Sequence, residues 1–121
     1  MKVRARSDGD AAWIADLLRS DWGSTVVVVH GEATDALSLP ALVAGEREGL
    51  ATYRLRGDEA ELVTLDVVKA GRGIGTFLVN ALAEHLYEQG IRRLWVTTTN
   101  DNLSALVFYQ KRGFCLQRVR P

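Results

Sequence analysis

The sequence predicts an α+β domain: a mixed, mostly antiparallel sheet with crossover helices on both faces. Three observations carry this. Short runs rich in Val and Leu recur between turn residues, as strands do. Between some of them lie segments whose apolar residues fall three and four apart, the pattern of a helix packed by one face. The stretch Glu61 to Phe77, E-L-V-T-L-D-V-V-K-A-G-R-G-I-G-T-F, passes from an apolar strand through Gly71, Gly73 and Gly75 into a helix. A further strand, Arg93 to Thr98, follows that helix, so the two strands should lie parallel within an otherwise antiparallel meander.

Val3 to Arg6 reads as a short strand. Asp10 is a plausible N-cap, with Ser7 or Asp8 as alternatives, for a helix whose face is Trp13, Ile14, Leu17 and Leu18 and which ends near Trp22 and Gly23. Thr25 to His30, T-V-V-V-V-H, is β-branched and predicts a buried strand. Gly31 to Pro40 carries mixed polar signals, and no element is assigned to it. Leu42–Gly45 and Leu50–Arg56 read as a hairpin around Glu46-Arg47-Glu48-Gly49, and Arg56-Gly57-Asp58-Glu59 turns the chain into the central strand. Phe77, Leu78, Ala81, Leu82, His85 and Leu86 mark a helix that stops at Gly90. In the strand Arg93–Thr98, Leu94 and Val96 share one face and Trp95 takes the other. Asn100 or Asp101 caps a last helix through Leu106, Val107 and Tyr109 to Arg112, and Phe114 to Val119 is a final extended segment.

At 121 residues the chain suits one domain, residues 1–121. With 47% hydrophobic and 25% charged residues it has a globular profile rather than a disordered one. Fifteen basic residues balance fifteen acidic ones, so no global field argues for nucleic acid or an anionic membrane. The single cysteine, Cys115, excludes an internal disulfide and a multi-cysteine zinc site. No apolar run approaches the ~18–20 residues of a membrane span, and the N-terminus lacks a signal-peptide core, so a cytoplasmic protein is expected.

The glycine stretch is the chemical centre. Strand, glycine turn and helix start together make a holder for an anion. Glycines let backbone N–H groups approach closely, and the first N–H groups of a helix lack partners and carry partial positive charge. In an open sheet the ligand belongs at the carboxyl ends of the strands, where this turn lies. The stretch is not a P-loop, because no lysine follows the last glycine. It also misses G-x-G-x-x-G by one residue and has no acidic residue ~20 positions on, which disfavours a dinucleotide enzyme.

Two blocks resemble the GNAT superfamily of N-acetyltransferases. A-G-R-G-I-G, Ala70 to Gly75, looks like that family's acyl-CoA loop, Q/R-x-x-G-x-G/A. N-D-N-L-S-A-L-V-F-Y-Q-K-R-G-F, Asn100 to Phe114, is similar to its N-x-x-A-x-x-x-Y-x-x-x-G-F block, with Asn102, Ala105, Tyr109, Gly113 and Phe114 in register. The likeness runs from about Leu42 to Phe114. It departs at Ala70, where the family usually has Gln or Arg, unless the loop is about two residues shorter and Arg72 fills in. It departs again after Phe114, where the family generally adds two strands and this sequence has room for one.

The resemblance implies acetyl-CoA as acyl-donor cosubstrate, with Gly71, Arg72, Gly73, Ile74, Gly75 and Thr76 at the pyrophosphate. It implies that the pantetheine arm pairs like an extra strand with the backbone near Leu65 to Val67, where the central strand bulges, and that this strand splays from Arg93–Thr98. Asn102 would bond the pantetheine and Tyr109 would protonate the departing sulfur; a phenol with a reference pKa of about 10 keeps its proton at neutral pH. Glu61 or Asp66 is the expected base, with Glu61 preferred and a water relay as the alternative to either; strict alternation puts them on opposite faces, so only one could look into the cleft unless a bulge intervenes. The acceptor would be an amine on a small molecule or peptide; the bare C-terminal sheet edge would be covered by a second subunit, or else the sequence is a truncated one.

Blander readings stand beside these. The glycines could make only a tight turn, Tyr109 could be core with a bonded hydroxyl, Asn100 to Asn102 only a cap, and Glu61 and Asp66 solvated strand residues. His85 reads as structural, and His30 has no visible partner. Trp22 and Trp95 read as core or rim, although Trp22 could line an acceptor pocket. Cys115 has no neighbouring histidine in sequence, so a covalent enzyme intermediate is not expected. The competing function is a domain that binds acyl-CoA without turnover.

Overall fold

The computed structural model describes residues 1–69, 71–97 and 115–119. In chain order its main elements are β1 (Val3–Ala5), α1 (Ala11–Trp22), β2 (Val26–Val29), β3 (Glu32–Asp35), β4 (Ala41–Ala44), β5 (Gly49–Arg56), β6 (Glu59–Val67), α2 (Ile74–Glu88), β7 (Arg93–Thr97) and β8 (Cys115–Val119). Six strands form one sheet in the order β1-β4-β5-β6-β7-β8, and β2 and β3 form a separate hairpin. The pairs from β1 through β6 are antiparallel, whereas β6–β7 and β7–β8 are parallel. The predicted mixed sheet is therefore present. The expected final helix, with Asn102 and Tyr109, lies outside the described residues.

Among the described residues each face of the sheet carries one helix, packed by its apolar stripe. Leu78, Leu82 and Leu86 of α2 pack with Leu42, Ala51, Tyr53, Leu62 and Leu65. Ile14 and Leu18 of α1 pack on the opposite face with Val27, Val43 and Leu50. Gly49, expected in the turn, is the first residue of β5 and lies beneath α2: a Cβ there would stand 2.8 Å from both Ile74 Cγ2 and Leu78 Cδ1.

The Thr25–His30 expectation needs correction. β2 is not a buried strand of the main sheet; it pairs only with β3, and of its residues Val27 is buried while Val28 is 74% exposed. β-branching forced an extended conformation but could not supply a second neighbour. Its partner β3 comes from the segment left without an element, and a 3₁₀ turn at Ala36–Ser38 follows it.

Asp10 occupies the N-cap position of α1, yet its buried carboxylate serves other donors. It accepts from Arg4 at 2.7 and 2.9 Å, from Arg47 Nε at 3.1 Å and from the Ser7 backbone N–H at 2.8 Å. One acid thus ties β1, the start of α1 and the β4–β5 turn. The Arg4 guanidinium and the Ser7 amide hold this carboxyl well below the usual range.

The element that positions the site is β6. Its register against β5 runs from Thr52↔Thr64 to Tyr53↔Leu62, so Val63 is one residue too many, a β-bulge. The Thr64 N–H donates to the Thr52 hydroxyl at 3.0 Å, and the two buried hydroxyls stand 2.6 Å apart. Alternation is broken there. Ala60, Leu62 and Leu65 all join the α2 core, whereas Val63 packs on the α1 cluster. The expected bulge near Leu65 to Val67 thus falls earlier, at Val63. The β6–β7 ladder also ends there, at Leu62↔Val96, while β6 continues to Val67.

Candidate active site

The glycine turn forms at the carboxyl end of β6. Gly71 and Gly73 have φ of +85° and +70°, a left-handed conformation that side chains with a Cβ resist. A Cβ at either position would meet nothing within 4 Å, so backbone conformation and not crowding calls for glycine. Gly73 is the N-cap of α2 and offers no side chain to its amides. The first helical bond is Phe77 N–H to Gly73 carbonyl, at 3.0 Å, which leaves the N–H groups of Ile74, Gly75 and Thr76 ahead of the ladder. Arg72 is exposed beside them.

At the other end of β6 is a pocket of about 210 Å³ lined by His30, Arg54, Arg56, Glu59, Glu61 and Trp95. Cross-strand register builds it: Arg54 lies opposite Glu61 on β5, Arg56 opposite Glu59, and Trp95 opposite Glu61 on β7. Glu61 is 12% exposed and fully engaged. Its Oε1 accepts from Arg54 Nε at 2.8 Å and Nη2 at 2.7 Å, and its Oε2 is 2.6 Å from His30 Nε2. Glu59 Oε1 accepts from Arg93 and from Trp95 Nε1, each at 3.1 Å. His30, which has no partner visible in sequence, reaches Glu61 because the β2–β3 hairpin carries it there.

Asp66 is placed differently. The bulge turns it to the same face as Glu61, which corrects the expectation that they face opposite ways. It does not line the pocket but lies beneath α1, 2% exposed, with Oδ1 accepting from Trp22 Nε1 at 2.7 Å. Burial pushes its carboxyl up to about 7; the neighbouring Asp21 carboxylate adds to this, and the Trp22 bond works against it. Its Oδ2 is buried with no hydrogen-bond partner among the described residues, as suits a carboxyl that keeps a proton. Trp22, expected as core or rim, is a rim residue whose indole N–H fixes this acid. His85 packs edge-on to Tyr53 at 6.5 Å, in keeping with a structural role. The described residues contain no group of three or more His, Cys, Asp or Glu able to hold a metal. No helix among them is long and apolar enough to cross a membrane.

Of the residues expected at the site, the structure brings Gly71 to Thr76 together at the α2 N-terminus, with Leu65 and Val67 on the strand leading into it. Tyr109 and Asn102 lie outside the described residues. Sequence reading missed Arg54 and His30. Arg54 was open to discovery through hairpin register; His30 was not, because its partner lies 31 residues away.

A mixed sheet with a glycine turn between a central strand and its crossover helix is the frame that the sequence resemblance implies. The Acetyltransferase (GNAT) family profile matches residues 16–114, and the chain belongs to that family. It is 34% identical over 110 residues to the uncharacterized protein YxbD of Bacillus subtilis, covering 88% of this chain and 69% of that one. It is 31% identical over 90 residues to the streptothricin acetyltransferase of Streptomyces lavendulae, covering 70% of this chain and 48% of the relative. Among solved structures, the N-acetylglutamate synthase of Neisseria gonorrhoeae complexed with coenzyme A and N-acetyl-glutamate shares the fold with a TM-score of 0.59 at 23% identity, over 83% of this chain and 26% of that chain. The aminoglycoside 6'-N-acetyltransferase of Enterococcus faecium does so with 0.55 at 21%, over 74% and 56%.

Proposed function

We propose that this protein is an N-acetyltransferase that moves an acetyl group from acetyl-CoA directly to a primary amine within a ternary complex. The observation that carries this is the layout of β6, with helix-start N–H groups ahead of the hydrogen-bond ladder beyond one end and an acid-bearing pocket at the other. From Glu61 to Val67 the strand extends about 20 Å, room for an extended pantetheine arm between a held pyrophosphate and an amine in the pocket.

In this reading the N–H groups from Gly71 to Thr76 take the pyrophosphate, with Arg72 adding charge. The arm runs along β6 beyond the end of its β7 ladder, beside Leu65 to Val67, and Asn102 bonds it. Glu61 takes the proton of the acceptor ammonium, the amine adds to the thioester carbonyl, Tyr109 protonates the sulfur as the C–S bond breaks, and the surplus proton on the new amide nitrogen restores the Tyr109 phenol. Asp66, the other candidate base, is held under Trp22 and steadies α1 on β6. The acceptor is a small-molecule or peptide amine, the protein is cytoplasmic, and a homodimer covers the β8 side of the sheet.

The test is to mix the protein with acetyl-CoA and an amine panel and follow free thiol. Thiol release with at least one amine is expected, and Tyr109→Phe should slow it while sparing coenzyme affinity. Binding without thiol release for any amine would instead favour an acyl-CoA-binding module.

A further inference from the structure

We propose that His30 is the positioning residue that carries the acceptor's proton from Glu61 to solvent. This rests on the acetyltransferase reading and deepens it at the same pocket. His30 and Gly31 are the two central residues of the β2–β3 turn: Val29 pairs with Glu32, and φ is +52° and +77° at the two positions. That is the geometry of a type I′ turn, whose first central position favours Asn, Asp or Gly. Histidine shares with Asn and Asp an enrichment at positive φ. The turn thus holds His30 at its tip, 2.6 Å from the Glu61 carboxylate.

The exposures give the pair a direction. Glu61 is 12% exposed and His30 is 55% exposed. The charged groups around the ring are Glu61 and Glu59 of β6 and Arg54 and Arg56 of β5, with Trp95 of β7 forming the wall. Arg54 occupies one carboxylate oxygen of Glu61 and His30 the other. His30, the more exposed of the two, is the side through which a proton taken by Glu61 reaches water. The ammonium N–H bond breaks as the Glu61 O–H bond forms. That proton then passes to Nε2 of neutral His30 in its Nδ1–H tautomer, in which Nε2 carries the lone pair, giving imidazolium and restoring the carboxylate. The ring turns outward and releases the Nε2 proton to water, which restores the neutral imidazole.

The experiment compares wild type with His30→Asn, a residue that suits the turn better and cannot carry the proton. Thiol release is followed at saturating acetyl-CoA and amine across the range where imidazoles change charge, about pH 5 to 8. Wild-type kcat should climb with pH through that range, because the relay needs neutral His30. His30→Asn should lose this limb and at least about tenfold in kcat, with unchanged KM for acetyl-CoA and a thermal midpoint no lower than wild type. Added imidazole should restore part of the rate. An active wild type whose kcat and pH profile survive His30→Asn overturns the relay alone. A wild type that releases no thiol with any amine overturns the acetyltransferase reading, and the relay with it.

Discussion

Gly49 and Asp66 show how single residues set the frame around the coenzyme loop. Gly49 lets the first turn of α2 rest on β5, since a methyl group there would collide with Ile74 and Leu78. Gly49→Ala should therefore cost about 1–3 kcal/mol by overpacking, read as a lower denaturant midpoint. Coenzyme affinity should fall too, because Ile74 is the first residue of the anion-holding turn. Asp66 acts through its proton. Its carboxyl is raised to about 7 from an ordinary 3.8, chiefly by burial, so the fold disfavours the ionised form. Below about pH 4 the acid is protonated folded or unfolded and costs nothing; as pH rises toward 7 the unfolded chain ionises more readily and stability falls. Asp66→Asn should remove that decline, so its thermal midpoint should gain on wild type between about pH 4 and 7. Parallel melting curves for the two proteins would contradict this account.

Among the elements, β6 decides which side chains meet. One extra residue at Val63 turns Glu61 and Asp66 to a common face, and the Thr52 hydroxyl takes the Thr64 amide that the bulge displaces. Thr52→Val should leave that buried N–H without an acceptor at a cost of about 1–3 kcal/mol, measurable by denaturant unfolding. This bulge also marks where sequence reading stopped. The apolar run located β6, but a pattern of Val and Leu on both sides conceals a one-residue slip. The glycine turn was readable because φ above zero leaves a compositional trace. The β2–β3 hairpin was half readable: four valines signalled extension, but their exposure depends on which strands pair, a long-range fact.

For the molecule as a whole, the two helical layers and the parallel β6–β7 step were legible because apolar periodicity and a crossover helix leave few topologies. The ion-pair framework was not, since Asp10 gathers Arg4 and Arg47 from distant segments. Its depressed carboxyl adds stability above the ordinary carboxylate range and loses it as pH falls toward the folded value. Wild type should therefore lose thermal stability on acidification below about pH 4, and Asp10→Asn should start lower and lose less. The central claim is that the turn between β6 and α2 grips a pyrophosphate, and calorimetric titration tests it most directly. Coenzyme A should bind with measurable heat, pantetheine without its pyrophosphate far more weakly, and Gly73→Val, strained at φ +70°, should weaken coenzyme A by about fivefold or more. No heat with coenzyme A, or equal affinity for pantetheine, would contradict it.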